Sequence, residues 1–261
     1  MRVAILGCGP AGLIAAHAAK GLGHDVVIFS HNPSPSKLFG CQYLHSPIPN
    51  ATDLTKVAWV DYMLSGPIDG YRRKVYGDRA EVDLSPQTLS RHHPAWDIRT
   101  TYARLWERYA KWIEPVAVDA YNLPRVTAGF PVVVSTIPRP NLCHQVSVHK
   151  FRSTTIFARG EAPDQGIYLE DINCPRDMVI CNGNENPSWY RASNVFGHKT
   201  AEWSYDSLMV GGVAVKKPID NDCDCSPEHV IHVGRYGAWK KGILASDAYS
   251  STYAALRGVH V

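Results

Sequence analysis

The sequence lacks any run of the roughly eighteen uncharged apolar residues that a membrane-spanning helix needs, so no membrane partner is expected. It lacks an even set of closely spaced cysteines. The seven present are odd in number, and 261 residues suffice for a core without disulfide staples. Free thiols in a reducing compartment are therefore expected, and the cytoplasm is the expected location. Charge of one sign is also scarce: 27 Lys and Arg face 24 Asp and Glu, and the net +3 gives no broad footprint for nucleic acid. Internal repeats and low-complexity tracts are absent. The rest of the composition, 45% hydrophobic and 20% charged, is ordinary for a globular chain of one large or two small domains.

The first thirty residues carry the strongest pattern. Arg2-Val3-Ala4-Ile5-Leu6 is a short apolar run, followed directly by Gly7-Cys8-Gly9-Pro10-Ala11-Gly12. An Ala-rich stretch from Leu13 to Leu22 comes next, and Val26-Val27-Ile28-Phe29 forms a second apolar run. The order is strand, glycine turn, helix, strand, which is the context a dinucleotide-binding turn requires. Gly7 allows the tight turn, Gly9 lets backbone approach a pyrophosphate, and Gly12 lets the helix pack closely on the strand. The helix N-terminus adds free N–H groups and a positive dipole. Because the turn falls inside the apolar run after Met1-Arg2, that run is read as structure and not as a targeting leader.

A dinucleotide fold usually ends its second strand with an acid that binds the adenosine ribose. Here the position is Ser30, which binds a hydroxyl more weakly than a carboxylate does. Its neighbours His31 and Lys37 favour a 2′-phosphate, so NADP stands as an alternative ligand. Gly40-Cys41-Gln42, followed by Tyr43 and His45, suits close contact with a flat ligand.

Further along, strands are expected over Val57–Leu64, Tyr71–Tyr76, Val116–Val118, Phe130–Thr136, Val146–Phe151, Thr154–Ala158, Ile167–Leu169, Met178–Cys181, Tyr190–Phe196, Ser207–Val215 and Val230–Arg235. Tyr102, Leu105, Trp106, Tyr109, Trp112 and Ile113 recur at helical spacing, which predicts an amphipathic helix over Arg99–Ile113 with its aromatic stripe in the core. A last helix is expected from Ile243 to about Leu256. The fold class is α/β, a Rossmann-like parallel sheet with helices plus an inserted, mainly antiparallel β region.

Three separated segments together resemble the FAD-dependent amine oxidases and UDP-galactopyranose mutases. They are Gly7–Gly12, then Val132-Val133-Val134-Ser135-Thr136-Ile137-Pro138, then Val233-Gly234-Arg235-Tyr236-Gly237 with Trp239-Lys240 and the helix containing Asp247. The resemblance implies FAD as cofactor, held by Gly7, Gly9, Pro10, Ala11, Gly12, Ser30, Gly40, Cys41, Gln42, Thr136, Gly234, Arg235, Trp239 and Lys240. It implies an FAD-binding domain made of residues 1–49, 116–145 and 226–261. A substrate or cap region of residues 50–115 and 146–225 would cover the flavin.

The implied activity is an oxidoreductase acting on a small amine, amino acid or related molecule. His45, Tyr190 and Arg191 are its candidate catalytic groups, with Tyr43, Asn194 and Trp239 as further substrate contacts. The stretch Trp189-Tyr190-Arg191 is similar to a Tyr-x-Arg segment of the mutases. Two other readings stand beside this one. One is a non-redox flavoenzyme, a mutase, isomerase or lyase, with a modified nucleotide or DNA base among its substrates. The other is an NADP-binding reductase or a nucleotide-binding module without catalysis. Cys223-Asp224-Cys225 with His229 nearby has Cys-x-Cys spacing, and the other close cysteine pair is Cys174 and Cys181. Structural zinc usually shows two better-formed half-sites, so no metal is assigned and a polar turn with free thiols is expected.

Overall fold

The computed structural model describes residues 1–40, 42–77, 84–161, 169, 172–204 and 212–258. In chain order its elements are β1 (Arg2–Leu6), α1 (Pro10–Gly21), β2 (Asp25–Phe29), β3 (Val57–Ser65), α2 (Ile68–Tyr76), β4 (His92–Trp96), α3 (Ile98–Tyr109), β5 (Ile113–Glu114), α4 (Leu123–Val126), β6 (Val132–Ser135), β7 (Phe151–Gly160), β8 (Met178–Asn182), β9 (Trp189–Val195), β10 (His198–Ser204), β11 (Val213–Asn221), β12 (Val230–His232), α5 (Gly234–Ala238) and α6 (Asp247–Arg257).

Two sheets organise them. The first has five strands in the order β12-β6-β1-β2-β5, all parallel. Its inner strands are continuous apolar runs because both faces are covered. Val3, Ile5 and Val134 face one layer, which contains Leu13 and Ile14 of α1, Tyr102 and Leu105 of α3, and Leu256 of α6. Ala4, Leu6 and Val133 face the other, against Leu123, Phe130 and Leu142. The strand order reverses direction between β1 and β6. In open α/β sheets a ligand crevice forms at such a switch point, outside the C-terminal ends of the strands.

The second sheet has seven strands in the order β11-β7-β10-β9-β8-β3-β4. Every neighbouring pair is antiparallel except β3 with β8. The α/β class with an added, mainly antiparallel sheet is therefore present.

Several expectations are corrected. Tyr71–Tyr76 is part of helix α2, with Tyr71 and Val75 buried one turn apart. Asp69 and Gly70 lie in the first turn of that helix. A side chain at Gly70 would come within 1.9 Å of the Gly183 carbonyl, so two glycines let the helix lie directly on backbone. Helix α3 stops at Tyr109. A 3₁₀ turn over Ala110–Trp112 follows, and Ile113–Glu114 pairs with Ile28 and Phe29. This puts α3 and β5, from the segment assigned to the cap, into the layer built on the parallel sheet.

Val116–Val118 forms no strand, and residues 144–148 form a hydrogen-bonded turn before β7 begins at Phe151. Arg235 lies in α5 instead of ending a strand, and the last helix begins at Asp247. Ile167 and Ser207 to Gly211 lie outside the described residues. Among the described residues, no helix is long and apolar enough to cross a membrane.

Candidate functional site at the sheet switch point

The turn after β1 is built by three glycines with three different reasons. Gly7 has φ +99°, a conformation L side chains rarely adopt, and its N–H donates to Phe29 O at 2.8 Å. A side-chain carbon at Gly12 would sit 1.9 Å from Gly7 O, so the helix can pack here only without one. Among the described residues, no atom lies within 4 Å of where a side chain on Gly9 would go. Gly9 is the N-cap of α1, and no side chain caps the helix there. Pro10 follows at the first helical position, where its missing N–H costs nothing. The turn thus presents open backbone at a helix N-terminus, the arrangement that binds phosphate.

Residues that follow β6 and β12 close around it. Thr136 donates from its N–H and its Oγ1 to Leu6 O at 2.9 and 2.8 Å, and its hydroxyl lies under Gly7. It fixes the turn. Gly234 has φ +69°, and a side chain on it would come within 2.8 Å of the Ala11 methyl. Beside it, Arg235 Nε and Trp239 Nε1 are buried donors with no hydrogen-bond partner among the described residues. Arg235 Nη2 donates to Pro218 O at 3.2 Å, which ties this segment to β11. Lys240 is exposed.

Ser30 stands just after β2, where the ribose contact is expected. It is buried, and its hydroxyl donates to Asn32 O at 3.0 Å while accepting from the Cys8 thiol at 3.2 Å. His31 and Lys37 are exposed. Tyr102 of α3, which sequence reasoning took only as core, donates its hydroxyl to Cys8 O at 3.0 Å and accepts from the Ser36 N–H. It links the turn to the loop after β2.

That loop runs on to Gly40, which has φ +76°; Cys41 lies outside the described residues. Gln42 Nε2 donates to Phe39 O at 2.6 Å. Leu44 then exchanges two backbone hydrogen bonds with Trp96 of β4, which fixes the loop against the second sheet. On either side of Leu44, Tyr43 and His45 enter a cluster of rings. Tyr43 donates to the Tyr62 hydroxyl at 2.6 Å, and His45 stacks on His93 with centroids 5.0 Å apart.

Burial, with His93, Arg91 and Arg191 around it, pushes His45 down to about 3. Its imidazole is neutral at pH 7 and does not titrate near neutrality, in contrast to the expectation from an unperturbed ring. His17 and His93 are lowered too, chiefly by burial. Between the ordinary value of 6.5 and about 3, the unfolded chain binds a proton at His45 that the folded chain refuses, so stability falls as pH drops through that window. The thermal midpoint is expected to fall less steeply with acid in His45→Gln than in the parent. Equal slopes in melts across that range would remove His45 from the account.

Tyr190 and Arg191 meet through an irregularity. Glu202 of β10 pairs with Arg191, but its neighbour Trp203 pairs with Trp189, which leaves Tyr190 as the extra residue of a β-bulge. Two consecutive side chains thereby reach the same carboxylate. Tyr190 OH donates to Glu202 Oε2 at 2.5 Å, and Arg191 Nη2 donates to both Glu202 oxygens at 2.6 Å. Lys217 of β11 adds Nζ to Glu202 Oε2 at 2.5 Å and to Tyr190 OH at 3.0 Å.

Burial would raise the pKa of Glu202, but Arg191 and Lys217 outweigh it and hold the carboxyl well below its usual range. Burial and the neighbouring Arg191 push Lys217 down to about 7, against the pull of Glu202. Tyr190 is wholly buried and stays protonated, chiefly because of that burial. A side chain at Gly40 would come within 2.6 Å of Glu202 Oε1, so the network lies directly beneath the loop after β2. Asn194, on the opposite face of β9, donates to Cys174 O at 3.1 Å and is not part of this group. Sequence reasoning missed Glu202 and Lys217.

Fold and site together define a protein with a dinucleotide-type parallel sheet joined to a mainly antiparallel second sheet. No protein-family model and no curated protein matches the sequence. Among solved structures the chain is similar to BrvH, a flavin-dependent halogenase from Brevundimonas sp. BAL3, at 11% identity over 98% of this chain and 71% of that one, TM-score 0.55. It is similar to the rebeccamycin biosynthetic enzyme RebC, described with reduced flavin, at 12% identity over 98% of this chain, TM-score 0.58. The match spans 61% of RebC, less than two thirds of its length. A geranylgeranyl bacteriochlorophyll reductase-like protein from Thermoplasma acidophilum matches at 13% identity over 97% of this chain and 76% of that one, TM-score 0.51. At these identities the likeness is one of fold.

Proposed function

We propose that the protein is an FAD-dependent oxidoreductase. The observation that carries the reading is the open backbone at Gly9, at the switch point of the parallel sheet, with Gly234 closing on Ala11 beside it. Two of the structural relatives are described with a flavin, which supports FAD over other dinucleotides. The Arg235 and Trp239 donors, which find no partner among the described residues, fit an oxygen-rich anionic cofactor next to that turn.

FAD, when bound, supplies the electron chemistry; the protein contributes binding, orientation and electrostatics. Gly7, Gly9, Pro10, Ala11 and Gly12 would hold the ADP half. Gly234 and Arg235 would hold the pyrophosphate or ribityl region, with Gly40 and Gln42 toward the ring. The substrate is a small amine, amino acid or related molecule. The neutral wall of Tyr43, His45, Tyr62 and His93 favours an unprotonated amine, the form that can give up a hydride. The Tyr190–Arg191–Glu202–Lys217 network positions the loop above it. The amine-oxidase and mutase subtype rests on the three sequence segments alone.

A visible absorption spectrum of the purified protein tests the reading. Flavin bands, with FAD released on heating, are expected. Anaerobic addition of amine substrates is then expected to bleach the bands. A colourless protein that also takes up no added FAD would overturn the proposal.

A further inference from the structure

Four side chains unused by the flavin reading meet at one point. The ligand atoms of Cys143, His149, Cys223 and Cys225 all lie within 4.8 Å of one another. Three segments deliver them. Cys143 follows the 3₁₀ turn Arg139–Leu142 that leaves β6. His149 stands in the turn before β7, held by Val148 and His149 N–H groups donating to Gln145 O at 2.9 and 3.0 Å. Cys223 and Cys225 follow β11.

The junction is braced by bonds of its own. Arg139 Nη2 donates to Cys223 O at 2.9 Å, Lys150 N–H to the Asp222 carboxylate at 2.7 Å, and Cys223 N–H to Asn221 Oδ1 at 3.2 Å. The backbone therefore presents these side chains to one another without help from the thiols.

The donor set selects the ligand. Three sulfurs and one imidazole form a soft, four-membered set, which suits zinc and not calcium, magnesium or manganese. Cys223 Sγ lies 3.1 Å from Cys225 Sγ, and Cys225 Sγ lies 3.3 Å from Cys143 Sγ. A zinc ion with Zn–S bonds of ~2.3 Å has tetrahedral edges of ~3.8 Å, so the sulfurs need to open by only about 0.5–0.7 Å. A disulfide would satisfy two sulfurs and leave the third thiol and the imidazole unused.

Among the described residues His149 Nε2 is buried with no hydrogen-bond partner, the Asp224 carboxylate standing 3.8 Å away. Its Nδ1 lies 3.6 Å from the Asp222 carboxylate, the kind of outer partner that fixes the tautomer of a metal-bound histidine. Cys143 and Cys223 are buried, and four protein ligands leave no open position for a reacting water. His229, the histidine that the sequence places nearest to the Cys-x-Cys pair, is not among the four.

We propose that Cys143, His149, Cys223 and Cys225 bind one structural zinc ion, which pins the start of β7 and the end of β11 to the segment leaving β6. The site joins the two sheets beside the segment that carries Arg235 and Trp239: Asn221 Nδ2 donates to Ala238 O at 3.0 Å. The proposal stands apart from the flavin reading, since none of the four residues belongs to the cofactor-binding set.

Elemental analysis of full-length protein, purified at neutral pH without chelators from zinc-supplied cells, tests it. One zinc per chain is expected in the parent and in His229→Ala, and loss of that zinc in Cys143→Ser and His149→Ala. Cobalt(II) added to reduced, metal-stripped parent protein keeps the test open should those variants fail to fold. It is expected to give the intense visible d–d bands of a tetrahedral site and a thiolate-to-cobalt charge-transfer band. Parent protein without stoichiometric zinc and without that cobalt spectrum would overturn the proposal. So would an intact mass showing these cysteines oxidised to a disulfide in freshly purified protein.

Discussion

Glu202→Ala is expected to lower the free energy of unfolding by about 3–5 kcal/mol, the cost of leaving buried charge without its partner. Glu202 is 2% exposed, and its carboxylate accepts from both Arg191 and Lys217 in the buried network. Removing it takes the carboxylate away from a guanidinium that cannot deprotonate. Lys217 has an escape: already pushed down to about 7, it is driven lower still without the carboxylate and goes neutral.

The sign of the pH dependence follows. Between about 7 and the ordinary 10.5, the unfolded chain carries a proton on Lys217 that the folded chain has released, so this group makes stability rise with pH across that window. In Glu202→Gln the lower edge of the window moves to lower pH, and in Lys217→Met the rise disappears. Urea midpoints at constant slope across pH 6–10 check all three variants. A Glu202→Ala midpoint matching the parent would mean that water, not protein, solvates these cations.

The parallel sheet was legible because its strands are buried on both faces. Val3–Leu6 and Val132–Val134 are unbroken apolar runs, and the glycine turn sits at the end of the first. The second sheet was less legible. Helix α2 was hidden because Pro67, Asp69 and Gly70 have turn chemistry, although Gly70 is there to let the helix lie on Gly183. Period-2 alternation sends Tyr190 and Arg191 to opposite faces, and only the bulge brings both to Glu202. Glu202 itself, in an alternating strand, carries the signature of an outward charge. The thiol cluster was invisible for a different reason: Cys143 and Cys225 are 82 residues apart, and no local spacing records that the ends of β6 and β11 meet.

The glycine turn permits a sharper separation between what folds the protein and what binds its ligand. Gly12→Ala would place a carbon 1.9 Å from Gly7 O and 2.8 Å from Gly7 C, which are backbone atoms with no rotamer to yield. The expected cost is about 3 kcal/mol or more, at the upper end of overpacking. It should appear as a lowered melting temperature even in flavin-free protein.

Gly9→Ala adds the same carbon where none of the described residues comes within 4 Å, at φ −67°, which alanine adopts without strain. Its flavin-free protein is expected to melt with a stability change of at most about 0.5 kcal/mol. FAD titration, followed by quenching of flavin fluorescence, is expected to show affinity at least about tenfold weaker, a loss of ~1.4 kcal/mol. The two variants thus separate along different axes, one by unfolding and one by binding. Undiminished FAD affinity in Gly9→Ala would show that the pyrophosphate does not lie on this turn. A parent-like melt of flavin-free Gly12→Ala would show that α1 does not pack against Gly7 as described.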